Sequence, residues 1–153
     1  MRILVVDDDL ASDDLRDFFK ARLTLTPLRN LDRALLDTRL TQLCFELEFV
    51  FDGDEALTHY HHSGPYDLVL TDLYHPGMDG VELARVIRRE NPTQALAIYT
   101  ACISPGPFIE ALWQLRIPAA DKLGPDQALL ELVEDALTRN SERLAEYHPV
   151  TVH

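Results

Sequence analysis

Apolar residues along the chain fall into five short runs, and the segments between the runs place apolar residues at helical spacing. The runs predict β-strands at residues 3–6, 45–51, 68–71, 95–100 and 117–121. Runs such as ILVV and LAIYT contain no alternating polar positions, which is typical of strands that helices cover on both faces of a parallel sheet. Five strands alternating with five helices predict a doubly wound α/β domain over residues 1–140, followed by a C-terminal tail at 141–153.

The connection between the first helix and the second strand is unusually long. Residues 24–44 fill it, whereas such connections usually have about two to six residues. A Thr-Pro pair provides a helix start, and leucines recur at helical spacing from Leu28 to Leu43. We therefore expect a helical insertion with leucines on more than one side. Either residues 26–44 form a docking or self-association surface, or every leucine packs against the first helix.

Composition and charge narrow the functional classes. The 153 residues are 46% hydrophobic and carry a formal charge of −12, and we expect no direct nucleic-acid binding because such a surface needs clustered Lys and Arg. The N-terminal MRILVVDDD meets acidic residues too early for a signal peptide, and no apolar run approaches the length of a membrane span. Cys44 and Cys102 are isolated, as in proteins of a reducing compartment. These features predict a soluble cytoplasmic domain.

Charged and hydroxyl side chains stand where four of the predicted strands end. They are Asp7-Asp8-Asp9 after the first strand, Asp72 after the third, Thr100 at the end of the fourth and Lys122 after the fifth. The carboxyl ends of parallel strands meet at one edge of the sheet, where ligands bind in folds of this class. Carboxylates so close together repel unless a cation lies between them, and hard oxygen ligands suit Mg²⁺. Asp72 is therefore predicted to be a nucleophile or a metal ligand.

The same residues carry a resemblance to a known family. The chain resembles the receiver domain of two-component response regulators, the CheY-like family with a flavodoxin-like fold. The motifs are ILVVDD, DLVLTDLYHPGMDG, AIYTA and the lysine after the fifth strand, in this order and at the strand ends. The resemblance covers residues 1 to about 140 apart from the insertion at 24–44.

The resemblance implies a phosphoacceptor rather than an enzyme, with intrinsic autophosphorylation and autodephosphorylation only. It implies that Asp72 accepts a phosphoryl group from a histidine kinase or a histidine phosphotransfer protein. Asp7 and Asp8 would hold Mg²⁺ together with Asp72 and the backbone carbonyl of Tyr74, with Asp8 binding directly and Asp7 largely through water. Two further residues would bind the transferred group, namely Thr100 through a phosphoryl oxygen and Lys122 through the phosphoryl charge. Signalling would follow by contact with an output protein that the sequence does not identify.

Two positions depart from the family pattern. Leu123 and Gly124 follow Lys122 where the family has a proline, so we expect a different loop after the lysine. Ala119 occupies the position, three residues before the lysine, where the family has an aromatic residue that switches between two positions. The mode of output is therefore open.

The sequence is also compatible with other functions. The chain could be the N-terminal receiver of a longer regulator whose output domain lies elsewhere. An Mg²⁺-dependent aspartyl phosphatase would also use a strand-end aspartate, but with a second aspartate two residues later, where this chain has Tyr74. The acidic residues after the first strand could simply cap a helix. His59, His61 and His62 fit a solvated helix end better than a metal site.

Overall fold

The structure, a computed structural model, describes residues 2–11, 13–23, 46–75, 77–101, 107–125 and 127–147. Its strands are β1 at Arg2–Val6, β2 at Glu46–Val50, β3 at Leu68–Thr71, β4 at Leu96–Thr100 and β5 at Ala119–Asp121. Its helices are α1 at Asp13–Leu23, α2 at Gly53–Ser63, α3 at Gly80–Glu90, α4 at Pro107–Leu115 and α5 at Gln127–Tyr147, and a short 3₁₀ helix at Asp8–Ala11 follows β1.

The five strands form one parallel sheet in the order β2-β1-β3-β4-β5. β1 therefore has β2 on one side and β3 on the other, and the strand order reverses direction between β1 and β3. In an open α/β sheet the crevice outside the carboxyl ends at such a reversal is the usual ligand site. Asp7 and Asp72 directly follow these two strands.

Side chains of β1 alternate between two apolar layers. Ile3 and Val5 belong to a cluster with Phe19 of α1 and with residues of α5. Leu4 and Val6 belong to a second cluster, formed with α2, α3 and α4. These four β1 side chains are at most 1% exposed, so both faces of the strand are covered. The unbroken apolar runs of the sequence follow from this arrangement, and the predicted doubly wound fold with five helices is confirmed.

The strand boundaries differ from the predicted ones by one or two residues. β5 begins at Ala119 rather than at residue 117, because Pro118 has no N–H to donate to a strand ladder. Helix α5 extends to Tyr147, into the predicted tail at 141–153. The predicted insertion at 24–44 lies outside the described residues. Among the helices that the structure describes, none combines the length and the apolar content needed to cross a membrane.

Candidate functional site

The pairing of β1 with β3 brings two aspartates together at the reversal of strand order. Val6 lies opposite Thr71 in the register of the two strands, so the next residues, Asp7 and Asp72, leave the sheet side by side. The Asp72 amide donates to the Val6 carbonyl at 2.8 Å, and the Asp7 amide donates to the Val50 carbonyl at 3.1 Å. Backbone hydrogen bonds thus fix both aspartates at the mouth of the sheet.

Lys122 reaches these two aspartates from the edge of the sheet. Its amide donates to the Thr100 carbonyl at 2.9 Å, which fixes the chain beyond β5. Its Nζ lies 2.8 Å from Asp72 Oδ2 and also donates to Asp7 Oδ2. The lysine side chain is only 14% exposed, and the side chains of Asp7 and Asp72 are 2% and 11% exposed. Lys122 therefore forms a nearly buried bridge between the two carboxylates, although Leu123 and not proline follows it.

The protonation of this bridge follows from burial and charge. Burial raises the pKa of Asp7, and the hydrogen bond and charge of Lys122 offset part of that rise. Burial lowers the pKa of Lys122, but its hydrogen bonds to Asp7 and Asp72 and the negative charges of these carboxylates together outweigh burial and leave the pKa above its usual range. Lys122 is therefore a cation at neutral pH, and its charge compensates the two carboxylates that it bridges.

Two more aspartates join the pair and form a possible metal site. One carboxylate oxygen from each of Asp7, Asp8, Asp9 and Asp72 lies within 4.8 Å of the others. The Asp9 amide donates to Asp7 Oδ1 at 3.0 Å, which turns the chain after β1 toward Asp72. Asp8 and Asp9 are exposed, so this side of the cluster is open to water. Clustered carboxylates with an open, hydrated side fit Mg²⁺, which keeps several of its water ligands in proteins.

Thr100 and Tyr74 lie next to this cluster on the side of α4. Thr100 ends β4 and is 2% exposed, whereas Tyr74 is 45% exposed. The Tyr74 ring packs edge-on against Phe108 of α4 at a centroid distance of 5.4 Å. Its position, two residues after Asp72, therefore holds a bulky aromatic ring rather than a second carboxylate.

A hydrogen-bonded pair behind Asp72 was not predicted from the sequence. His75 is 8% exposed, and its Nε2 lies 3.1 Å from Thr71 Oγ1. The Thr71 hydroxyl in turn donates to the Asp72 carbonyl at 2.8 Å. The signal that could have revealed the contact is a polar Thr at the end of an apolar strand, followed four residues later by a histidine in the turn.

The turn after Asp72 brings α3 against the backbone of that residue. Asp79 caps α3, with its side chain accepting from the Glu82 amide at 2.9 Å. The Gly80 amide donates to the Leu73 carbonyl at 2.8 Å. A Cβ at Gly80 would lie 2.3 Å from the Asp72 carbonyl oxygen. Only glycine permits this approach, so Gly80 fixes the start of α3 directly behind Asp72.

A comparison with protein families identifies the domain. The model of the response regulator receiver domain matches residues 29–116, which are more than half of the chain. The chain belongs to the response regulator receiver family. The matched range of this receiver domain includes Asp72, Tyr74 and Thr100, whereas the acidic residues after β1 and Lys122 lie outside it. The predicted family is confirmed, and the roles of the individual site residues remain predictions.

Relatives of the receiver domain are bacterial regulators. Transcriptional regulatory protein TctD of Salmonella typhimurium is 38% identical over 66 residues, which are 43% of this chain and 29% of the relative. Transcriptional regulatory protein QseB of Escherichia coli O157:H7 is 30% identical over 146 residues, which are 92% of this chain and 54% of the relative. The chain thus spans about half or less of the length of these curated relatives.

A solved structure agrees with the fold. The CheY-like receiver domain protein of Methanospirillum hungatei superposes with a TM-score of 0.65 at 21% identity and covers 93% of this chain and 97% of its own. At this level of identity the likeness concerns the fold alone.

Proposed function

We propose that Asp72 accepts a phosphoryl group from a phosphohistidine of a histidine kinase or of a histidine phosphotransfer protein. The observation that supports this assignment most strongly is the bridge from Lys122 Nζ to Asp72 Oδ2 at 2.8 Å, beside a cluster of four aspartates. Asp72 lies at the reversal of strand order, contacts the Lys122 ammonium group and faces a cluster that is open to solvent. A carboxylate in this position is a competent nucleophile for such a transfer.

Both oxygens of Asp72 are oriented before the reaction. Oδ1 accepts from the Leu73 amide at 2.7 Å, and Oδ2 accepts from Lys122 Nζ at 2.8 Å. In the transfer, a carboxylate oxygen forms a bond to phosphorus while the bond from phosphorus to the donor imidazole nitrogen breaks, and the electron pair of that bond stays on the ring nitrogen. Phosphoryl transfer depends mainly on such positioning and on neutralising the charge of the equatorial oxygens.

The residues around Asp72 would supply that neutralisation. Lys122 would pair with the phosphoryl charge, and Thr100, at the end of the neighbouring strand, would bind a phosphoryl oxygen through its hydroxyl. Asp7, Asp8, Asp72 and the Tyr74 carbonyl would hold Mg²⁺, as the chemistry of the acidic cluster suggests. A bound Mg²⁺ would neutralise charge on the transferring group.

Exchanging a carboxyl group for an amide at either end of β3 tests the proposal. Incubation with acetyl phosphate and Mg²⁺ should add one phosphoryl group to the wild-type protein and none to Asp72→Asn, as measured by intact mass. Asp67→Asn is the matched control, because Asp67 precedes β3 at the opposite end and accepts a hydrogen bond from the Arg2 amide. Full labelling of Asp72→Asn, or loss of labelling in Asp67→Asn alone, would contradict the assignment.

Replacing Tyr74 by asparagine should shorten the lifetime of the acyl phosphate. The Tyr74 ring packs on Phe108. It would stand beside the path by which water reaches Asp72, and it provides no acid or amide to orient that water. An asparagine amide could orient it, so dephosphorylation should quicken by roughly tenfold. The rate of loss of phosphoryl mass after removal of the donor measures the effect, with Tyr74→Phe as the slow control. We expect Cys102 to flank the same path, but it lies outside the described residues.

A longer regulator is the second candidate. The chain spans 29% and 54% of two relatives that are transcriptional regulatory proteins, so an output domain beyond this sequence could receive the signal. Detecting the native protein at a mass well above that of this chain would favour it, and detecting it at the mass of this chain would exclude it.

We further propose how the receiver domain reaches its partners. A cytoplasmic location would give access to the kinase, and contact with an unidentified output protein would transmit the signal. The formal charge of −12 favours protein partners over nucleic acid. We also propose self-association through residues 26–44, because leucines recur there at helical spacing on more than one side.

A further inference from the structure

A cavity of about 430 Å³ lies between helix α4 and the β5 edge of the sheet, with α5 on its other side. Ile98, Leu112 and Ile117 form much of its apolar wall, and Thr100 lies along it as well. These four residues are at most 6% exposed and form the floor of the cavity. Its rim is exposed and includes Trp113, Arg116, Ala119 and Arg139, so the cavity is an open groove with a buried apolar floor. A volume of this size falls within the range of small-molecule sites, roughly 300–1,000 Å³.

The small side chain of Ala119 leaves this space open. Ala119 begins β5 and lines the cavity with a single methyl group. Opposite it, α4 contributes two aromatic rings, Phe108 and Trp113. Trp113 is 81% exposed, which is unusual for so large an apolar side chain. The cavity therefore combines an apolar interior with aromatic surfaces at its opening.

Two arginines also line the cavity, and one of them adopts a strained backbone conformation. Helix α4 ends in a Schellman motif, in which the Ile117 amide donates to the Leu112 carbonyl at 2.9 Å and the Arg116 amide donates to the Trp113 carbonyl at 3.1 Å. Arg116 has a φ of 55°, in the left-handed region where this motif usually has glycine. An arginine at such a position carries a conformational cost, and strained residues concentrate at functional sites.

Arg139 of α5 provides the second guanidinium. Its Nε donates to Asp135 Oδ1 at 3.0 Å, which fixes the orientation of the side chain. A guanidinium has five N–H donors in a planar fork, so Arg139 can bind a second carboxylate beside Asp135. Arg116 and Arg139 therefore place positive charge at the cavity of a chain whose formal charge is −12.

We propose that this cavity binds a small aromatic carboxylate. Its rings occupy the apolar space beside Ala119, between Leu112 and Ile117, and its carboxylate pairs with Arg116 and Arg139. Guanidinium forks match a planar carboxylate in two parallel hydrogen bonds, and aromatic rings pack favourably against Phe108 and Trp113. Because Thr100 also lines the cavity, the ligand lies beside a residue of the strand-end site. A ligand at this position could influence phosphoryl transfer, and this part of the inference rests on the proposed function; the binding itself does not.

Titration with 2-naphthoate tests the proposal without any phosphodonor. Trp113 is the single tryptophan of the chain, so its indole N–H gives one NMR cross-peak that reports on the opening of the cavity. We expect saturable one-to-one binding in calorimetry and a matching shift of this peak. Ala119→Phe, which fills the cavity, should weaken binding at least tenfold, and the uncharged 2-naphthamide should bind at least tenfold more weakly than the acid.

Two arginine variants separate binding from folding. Arg116→Gly removes the charge but relieves the backbone strain, so it should weaken naphthoate binding at least tenfold while the thermal midpoint stays equal or rises. Arg139→Gln should also weaken binding, whereas Arg85→Gln, an exposed change on α3, should leave it unchanged.

Three results would overturn the proposal. The first is equal binding of the acid and the amide, and the second is unchanged binding to Ala119→Phe or Arg116→Gly. The third is absence of saturable binding of 2-naphthoate. If the protein is then a dimer in sedimentation that Ala119→Phe dissociates, a second copy of the chain fills the cavity instead.

Discussion

Replacing Lys122 by methionine should destabilise the Mg²⁺-free protein by about 3 kcal/mol, because one partner is then removed from a nearly buried ionic bridge. The methionine keeps the length of the side chain but leaves Asp7 and Asp72 facing each other without a cation. The Asp7 side chain is 2% exposed, so water compensates its charge poorly. Urea unfolding in EDTA and in excess Mg²⁺ measures the effect, and Mg²⁺ should restore most of the loss because it supplies positive charge to the same carboxylates.

The same variant has an internal control. Asp7→Asn combined with Lys122→Met removes one of the two repelling charges and should recover part of the lost stability in EDTA. Equal stability of Lys122→Met and wild type in EDTA would show that the bridge does not compensate the aspartates. A loss that Mg²⁺ fails to reduce would show that the metal does not bind beside Lys122.

Replacing Asp8 by alanine should lower Mg²⁺ affinity by about 100-fold or more and abolish phosphorylation by acetyl phosphate, because Asp8 is the carboxylate that we propose to ligate the metal directly. Asp9→Ala is the matched control, since Asp9 is also exposed and belongs to the same cluster of aspartates within 4.8 Å. We expect Asp9→Ala to change the affinity by less than about threefold, as for an exposed charge outside the coordination sphere. Mg²⁺ titration of both variants by calorimetry gives the comparison. Equal losses would mean that the residue after β1 that ligates the metal is assigned wrongly.

The sequence was sufficient to predict the sheet and the residues at its mouth. Buried parallel strands leave unbroken apolar runs, and the residue after each run must emerge at the carboxyl edge. The positions of Asp7 after β1 and of Asp72 after β3 therefore follow from local pattern alone. Their contact depends on the strand order β2-β1-β3, which the sequence supplied only through resemblance to a family.

The contacts of Lys122 needed the structure. The sequence favours a site role for Lys122 but does not exclude a solvated lysine followed by an unusual Leu-Gly pair, since no periodic pattern records where a long side chain reaches. The Asp121 side chain accepts from the Leu123 amide at 2.8 Å and forms a turn that replaces the expected proline. This turn, and the hydrogen bond from the Lys122 amide to the Thr100 carbonyl of β4, direct Lys122 to Asp7 and Asp72.

Cavities and strained backbone conformations could not be predicted from the sequence. Ala119 was recognised as a missing aromatic residue, but the cavity beside it depends on where α4 packs. Arg116 in the left-handed region had no signal in the sequence, because a helix that ends in this motif usually has glycine there. The buried contact between His75 and Thr71 likewise depends on the path of the turn after Asp72.

Locating the phosphoryl group on the chain decides whether Asp72 is the phosphoacceptor. The wild-type receiver domain is phosphorylated with acetyl phosphate and Mg²⁺, reduced with borohydride, which converts an aspartyl phosphate to homoserine, and digested for peptide mass analysis. We expect homoserine at Asp72 alone, and none when Mg²⁺ is replaced by EDTA. Homoserine at another aspartate of the cluster, or a phosphorylated protein in which Asp72 is unchanged, would contradict this assignment.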